Sequence, residues 1–137
     1  MRTRKPEITE QVEAYGQHPL QVGEWFAPLG DGIAPTVVLI HGGFWGERYD
    51  RHLEYSMAKD LAQRGYLCWN IDYRSSAEPW PATLADVAAA YDHLTQSPFS
   101  SRVDRDRLLK RPSRLIALSQ VSQCDSKIVV NIGVVRH

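Results

Sequence analysis

Apolar and β-branched residues fill two short stretches of the chain almost without interruption, at residues 36–41 and 66–72. A strand with no polar alternation is typical of a sheet covered on both faces, because neither face then meets water. We therefore predict two central strands of a parallel sheet. Residues 51–64 between them carry an amphipathic helical pattern, and a strand-helix-strand crossover of this kind is right-handed.

The chain before residue 36 has weaker patterns. Residues 9–15 predict a short helix in a polar lead-in. Residues 20–27 partly alternate apolar and polar side chains, as in an antiparallel edge or near-edge strand. Pro and Gly then mark a turn at 28–35. We expect this turn to form a hairpin that delivers the chain directly into the strand at Thr36.

Two helices are predicted on either side of the second apolar strand. In the helix at 51–64 the apolar positions recur every three or four residues, and Gly65 follows as the C-terminal cap. A second helix is predicted at 82–95. The stripes that should face the sheet contain Leu53, Met57 and Leu61 in the first helix and Leu84, Val87, Tyr91 and Leu94 in the second. Asp92 and His93, adjacent in the second helix, are expected on its solvated face.

The strand at 36–41 ends abruptly in His41, Gly42, Gly43, Phe44 and Trp45. Glycines lack a Cβ, so they adopt positive φ and let a ligand approach the backbone closely. The amides of Gly43 and Phe44 would then be uncovered at the carboxyl end of a strand. Two such N–H groups form a potential oxyanion site. His41 is expected to hold this loop by hydrogen bonding rather than to act as a base.

An apolar strand that ends in His-Gly-Gly-aromatic-Trp resembles the α/β-hydrolases, in particular their esterase, lipase and arylformamidase (kynurenine formamidase-like) branch. In that family the loop supplies one side of the oxyanion hole. The resemblance covers roughly residues 18–108. It implies a three-layer α/β/α fold with a mostly parallel sheet, a small-molecule ester or aryl formamide as substrate, and no metal or other cofactor. The alternative is a tight strand-to-loop turn in another α/β protein.

The second strand ends in Asp72, Tyr73 and Arg74, which also resembles the family pattern after its fourth strand. Asp72 and Arg74 either anchor each other and the loop or contact substrate, and we favour the anchoring interpretation. Tyr73 and Trp80 are candidates to line a pocket. Trp80 could equally cover the helix that follows.

The family pattern then fails where the nucleophile should follow. Residues 103–108 match the family's approach to the nucleophile strand, but residues 109–113 are basic and contain a strand-breaking proline. The next candidate strand is 114–118. It would place Ser122 at the nucleophile, with Gln120 and Cys124 where the strained turn needs small residues. Ser122 is thus either the nucleophile or, as we favour, an ordinary surface serine.

The composition changes at the same point, which divides the chain into an α/β-hydrolase part at 1–108 and a divergent tail at 109–137. Asp125 lies too close to Ser122 in sequence to complete a triad, and His137 is the terminal residue of the sequence, where fraying is expected. We expect a truncated α/β-hydrolase fold without a complete triad and therefore an inactive chain. The other hypothesis is a non-catalytic fragment or module that another chain completes.

The net charge of the chain and the lengths of its apolar runs exclude some classes of binding partner. The 137 residues have zero net charge, which removes the electrostatic case for nucleic acid or anionic membranes. No run approaches the length of a membrane span. Two cysteines without metal-ligand spacing favour free thiols and a cytoplasmic protein. If strands are missing, the bare sheet edge should promote self-association.

Overall fold

The computed structural model describes residues 4–43, 46–75, 77–79, 81–105 and, as backbone only, 127–131. Five strands form one sheet in the order β1-β2-β4-β3-β5. The strands are β1 Ile8–Ala14, β2 Val22–Pro28, β3 Thr36–His41, β4 Leu67–Ile71 and β5 Lys127–Asn131. The helices are α1 Tyr55–Gln63 and α2 Ala82–Asp92, with 3₁₀ turns at Arg51–Glu54, His93–Thr95 and Ser100–Arg102.

The two apolar stretches are adjacent parallel strands, as predicted. β3 and β4 pair in parallel from Thr36 opposite Leu67 to Ile40 opposite Ile71. Every residue of both strands is buried. The sequence could identify this pair because a strand covered on both faces carries its signal locally.

Successive residues of β3 point to opposite faces of the sheet and join different clusters of buried side chains. Val37 and Leu39 pack with residues of α1, whereas Val38 and Ile40 pack with residues of α2 and the turn after it. The two helices therefore cover opposite faces. The cluster beneath α2 contains Trp25 stacked on Trp69, with ring centroids 4.7 Å apart. The predicted helices at 51–64 and 82–95 are confirmed, each with a 3₁₀ turn at one end.

The two ends of the first predicted helix differ in how well they were predicted. Gly65 takes φ +96°, as expected for a glycine that ends a helix. Leu53, however, is 50% exposed, so its place in the apolar stripe was predicted wrongly. Leu53 lies in the 3₁₀ turn Arg51–Glu54, where three residues per turn rotate it away from the stripe of α1.

The predicted helix at 9–15 is wrong, because these residues form β1. It pairs antiparallel with β2 along all seven residues, and the Tyr15 amide donates to the Gln21 carbonyl at 2.9 Å to close the hairpin. A helical pattern read from polar residues carries little weight once a neighbouring strand offers a full ladder of hydrogen bonds.

The predicted hairpin from β2 into β3 is also wrong. β2 pairs antiparallel with β4, from Gly23 opposite Ile71 to Phe26 opposite Cys68, so β4 separates β2 from β3. The connection after β2 crosses over instead, and it is held where the Ala34 amide donates to the Arg102 carbonyl at 2.9 Å. The near-edge antiparallel character predicted for 20–27 is confirmed.

The strand beside β3 on its other side is β5, which runs antiparallel to it with Val38 opposite Val130. The sequence instead proposed 114–118 as a further parallel strand. Residues 114–118 lie outside the described residues.

Burial makes Cys68 a testable probe of this core. The side chain is fully buried, and burial raises the pKa of its thiol to about 12. The thiolate is the reactive form, so Cys68 in the folded protein should resist iodoacetamide at pH 8 and react once urea unfolds the chain. The Cys124→Ser variant removes the second thiol from this mass-spectrometric assay. Rapid labelling of the native variant would mean that the core around β4 is open.

Candidate active site

Three segments meet at the carboxyl ends of β3 and β4. The loop after β3, the loop after β4 and the β1–β2 turn lie together, because β2 starts where the antiparallel β4 ends. Two hydrogen bonds join the loop after β4 to the β1–β2 turn and the start of β2. The Asp72 amide donates to the Val22 carbonyl at 2.8 Å, and the Tyr15 hydroxyl donates to the Asp72 carbonyl at 2.6 Å.

His41 fixes the start of the loop after β3. Its side chain is 3% exposed, and its Nδ1 lies 2.9 Å from the Gly42 carbonyl oxygen, to which it donates. The imidazole stacks on the Tyr73 ring at a centroid distance of 4.4 Å, and the Tyr73 hydroxyl donates to the His41 carbonyl at 2.6 Å. The carbonyl groups of His41 and Gly42 are thus both held by side chains. This geometry gives His41 the positioning role expected from the sequence.

Gly43 takes φ +120°, in the region that side chains rarely adopt. A Cβ at this position would overlap the Tyr49 ring. The Gly43 carbonyl accepts from the Gly46 amide at 2.9 Å. Within the described part of the chain, the Gly43 N–H has no hydrogen-bond partner. Phe44 and Trp45 lie outside the described residues, so the second predicted amide stays a prediction.

A buried ion pair lies behind the loop. The Arg51 amide donates to Asp72 Oδ1 at 2.7 Å, and its guanidinium donates to Asp72 Oδ2. The Arg51 carbonyl accepts from Asn70 Nδ2 at 2.8 Å, and Arg51 Nε lies 3.6 Å from Glu24 Oε2. Asp72 Oδ1 is also 3.8 Å from His41 Nε2. Asp72 therefore joins the start of the first helix to the His-Gly-Gly loop.

Arg74 does not pair with Asp72, so the prediction that these two residues anchor each other is wrong. Arg74 Nη2 donates to Asp86 Oδ1 at 2.7 Å, and the Arg74 amide donates to Asp86 Oδ2 at 2.8 Å. Gln21 Nε2 adds a third donor to Asp86 at 2.8 Å. Both residues do anchor loops, as favoured, but each uses a residue from a helix or helical turn far away in sequence.

Burial alone would favour the protonated form of Asp86, whose side chain is fully buried. The hydrogen bonds from Arg74 and Gln21 outweigh that effect and hold the pKa of the Asp86 carboxyl below its usual range. The ionised carboxylate thus fixes α2 against the loop after β4 and the β1–β2 turn. It supports the site without facing it.

Tyr73 is 6% exposed, and burial, with the Asp72 charge as a smaller cause, raises the pKa of its hydroxyl to about 12. It is therefore a neutral donor that holds the His41 carbonyl. Its role in lining a pocket stays a prediction. Trp80 and Ser122 lie outside the described residues, so the structure places neither of them relative to the loop.

His93 does not belong to a solvated face, contrary to the prediction. Its Nε2 lies 2.6 Å from Glu13 Oε1, and its ring stacks over Trp69 at 5.6 Å. The error follows from the missed β1, which brings Glu13 to the helix. Asp92 is exposed, as predicted.

The sequence-based prediction missed Arg51 and Asp86, the two partners that hold the loop residues. The buried residues of α2 are Asp86 and Ala90, whereas Leu84, which was predicted to face the sheet, is 43% exposed, so the predicted stripe was wrong at Leu84 and gave no signal for Asp86. Arg51 carried none, because a basic residue near a helix start is ordinarily solvated. Only the paired strands bring Arg51 to Asp72.

The described part of the chain contains no group of three or more His, Cys, Asp or Glu side chains placed to hold a metal ion. Among its helices, none is long and apolar enough to cross a membrane.

Residues 26–109, more than half of the chain, match the family model BD-FAE. None of the curated proteins matches the sequence. Among solved structures, esterase B from Lactobacillus rhamnosis superposes with a TM-score of 0.67 at 24% identity, over 87% of this chain and 45% of that one.

Two other solved esterases show the same fold. Brefeldin A esterase, a bacterial homologue of human hormone-sensitive lipase, has a TM-score of 0.56 at 22% identity, over 75% of this chain and 31% of its own. A thermostable esterase from Pseudomonas putida has a TM-score of 0.53 at 22% identity, over 75% of this chain and 33% of its own. The chain thus spans less than half the length of these structures. The predicted resemblance to α/β-hydrolases is confirmed, while the kynurenine formamidase-like branch stays a prediction.

Proposed function

Because the chain belongs to the BD-FAE family of α/β-hydrolases, we propose that it carries the oxyanion-binding half of a serine-hydrolase site. In this proposal the chain corresponds to the N-terminal part of a three-layer α/β/α hydrolase. Its loop at 41–45 receives the carbonyl oxygen of a carboxylic ester or an aryl formamide. The substrate is a small molecule, and neither a metal nor an organic cofactor takes part.

The observation that carries the proposal is the backbone of Gly43. Its φ of +120° directly follows the end of β3, and its N–H has no partner among the described residues. The neighbouring carbonyl groups are held by His41 and Tyr73. A fixed, unpaired N–H at the carboxyl end of a strand needs no reorganisation to bind a developing oxyanion. Such a donor contributes about 3 kcal/mol in comparable sites.

The relatives support the ester as the class of substrate. All three solved structures named above are esterases by name. An aryl formamide would place its carbonyl oxygen on the same amides, so the loop alone accommodates both classes. We favour the ester, since the formamide rests only on the resemblance of the His-Gly-Gly-aromatic-Trp motif.

We further propose that this chain alone does not turn over substrate. The sequence contains no Gly-x-Ser-x-Gly, and Ser122 has Gln120 and Cys124 in the places of the glycines. A triad acts as a unit, because the serine hydroxyl stays a poor nucleophile until a positioned histidine takes its proton. An oxyanion site without that unit retains about 10³ to 10⁴ of acceleration over water, far below an intact enzyme.

Purified full-length chain should therefore show no hydrolysis of an activated aryl ester above background, and no covalent labelling by a fluorophosphonate probe. The Ser122→Ala variant should behave identically in both assays. Esterase B measured in parallel verifies the substrate and the probe. Stoichiometric labelling that disappears in Ser122→Ala would overturn the proposed inactivity and establish Ser122 as the nucleophile.

A second candidate is a non-catalytic module completed by another chain. One observation favours it: in the described part of the chain, the strand beside β3 is antiparallel. In either case we propose a division at residue 108 into a hydrolase part and a divergent tail. A cytoplasmic location is part of the proposal and is supported by the cysteine content alone. Reading the genomic DNA after codon 108 in all three frames tests this division. A Gly-x-Ser-x-Gly in another frame would mean that the motif has been displaced by a frameshift, whereas no such motif in any frame would mean that it is absent.

A further inference from the structure

The first edge of the sheet is a strand adapted to water. Most residues of β1 are exposed, including Glu10 and Gln11, whereas Glu13 is half-buried. Lys59 lies 3.6 Å from Glu10, and His93 lies 2.6 Å from Glu13. Charged side chains and short length are the usual protection of an edge against pairing with another chain.

β3 has the opposite character. All six of its residues are buried, and its two faces contribute to two separate apolar clusters. Such a strand belongs in the interior of a sheet, with a neighbour on each side. On one side it pairs with β4, which is embedded in the body of the protein. On the other side its only neighbour in the described part of the chain is β5, a strand of five residues.

β5 reaches this edge from a distant part of the sequence. Residues 106–126 separate it from Arg105, the last described residue of the body. Its pairing with β3 is antiparallel, with Leu39 opposite Val129 and Ile40 opposite Ile128. The β3 edge therefore accepts an antiparallel strand of β-branched residues, held in place by the backbone ladder and a long covalent connection.

We propose that β5 is a replaceable cover of the β3 edge, and that the same edge pairs with β3 of a second copy of this chain. The sequence of β3, with Val37, Val38, Leu39 and Ile40, is of the same kind as Ile128, Val129 and Val130 of β5. Two identical strands paired antiparallel are related by a twofold axis, so the interface is self-complementary and closed. β3 of a second copy is thus a chemical equivalent of β5.

The two occupants differ in how they depend on concentration. β5 is tethered, so its effective concentration at the edge is fixed by the connecting segment. The cost of closing a loop rises only slowly with its length, so a long connection does not by itself release the strand. A second copy competes only through its free concentration. Self-association should therefore increase with protein concentration and increase strongly once β5 is weakened.

The test weakens β5 in the full chain with the double substitution Val129→Pro and Val130→Pro. Successive N–H groups of a strand point to opposite sides, so one of the two prolines removes a donor facing β3. The control is Val129→Ile with Val130→Ile, which keeps both donors. Sedimentation velocity should show the proline variant moving from 15.5 kDa to twice that mass at concentrations where the control stays monomeric.

Tryptophan fluorescence of the Trp25–Trp69 stack checks that the body remains folded in each variant. A proline variant that is folded and monomeric at every concentration overturns the proposal. If the proline variant is unfolded, a tethered variant decides the question. Val38→Cys with Val130→Cys, in a Cys124→Ser background, places two thiols at opposite positions of the register.

When oxidised within one chain, this cystine holds β5 on β3 and should prevent dimerisation at all concentrations. Reduction should restore the association. Two results would overturn the proposal. In the first, the oxidised form dimerises as readily as the reduced form. In the second, neither form dimerises at any concentration.

Discussion

Replacing Gly43 by alanine should lower the free energy of unfolding by about 3 kcal/mol, measured by urea denaturation. One part of this loss comes from the backbone, because φ +120° is strained for any residue with a Cβ. The other part comes from packing, because the new methyl group overlaps the Tyr49 ring. The loop must move to relieve that overlap, which would displace the Gly43 amide from the end of β3.

Two other glycines separate these causes. Gly30 takes φ +103° with no atoms near its Cβ position, so Gly30→Ala measures the backbone effect alone, about 1 kcal/mol. Gly32 has neither positive φ nor close neighbours, so Gly32→Ala should change little. If Gly43→Ala were no more destabilising than Gly32→Ala, the described conformation of the loop would be wrong.

Replacing Asp86 by asparagine should cost about 3 kcal/mol at pH 7, because it leaves the Arg74 guanidinium without its charged partner in a largely buried site. Asp86 accepts hydrogen bonds from Arg74 and Gln21, and these bonds join α2 to two loops at the site. Asp92→Asn is the matched control, since Asp92 is exposed on the same helix. The control should stay within about 0.5 kcal/mol of the wild type.

The effect of Asp86 should depend on pH in a defined direction. The pKa of its carboxyl is lower in the folded chain than in the unfolded chain, where it is about 3.9. The ionised carboxylate therefore stabilises the fold fully above that unfolded pKa, and its contribution is lost as pH falls through the folded pKa. The difference between wild type and Asp86→Asn should shrink below about pH 4. A difference that grew on acidification would contradict the assigned pairing.

The parts of the fold that were predicted correctly are those whose signal is local. β3 and β4 were found because strands buried on both faces are apolar throughout, and Gly65 was found because glycine ends helices. β1 was missed, because its polar residues fit a helix or an edge strand equally. β1 can be recognised as a strand only through its pairing with β2. Because β1 was missed, the contact between its Glu13 and His93 was missed as well.

The features of the candidate site that could be predicted are likewise those with a local sequence signal. The His-Gly-Gly motif is contiguous, so its glycine conformation and the positioning role of His41 could be inferred from the sequence. The partners of Asp72 and Arg74 could not be inferred, because Arg51 and Asp86 reach them only through the order of the strands. An Asp and an Arg two residues apart at a strand end suggested a pair, but Asp72 accepts from Arg51 and Arg74 donates to Asp86 instead.

Amide hydrogen exchange at Gly43 tests the central claim most directly, because that claim is an unpaired N–H held at the end of a rigid strand. Heteronuclear NMR of the full chain should show the Gly43 amide exchanging near its intrinsic rate. The amides of β3 that face β4, within the paired stretch from Thr36 to Ile40, should be strongly protected by the ladder. Rapid exchange at Gly43 beside protected β3 amides is the predicted result. Protection at Gly43 equal to that of β3 would show that the amide is already bonded within the protein, and the oxyanion site would have to be abandoned.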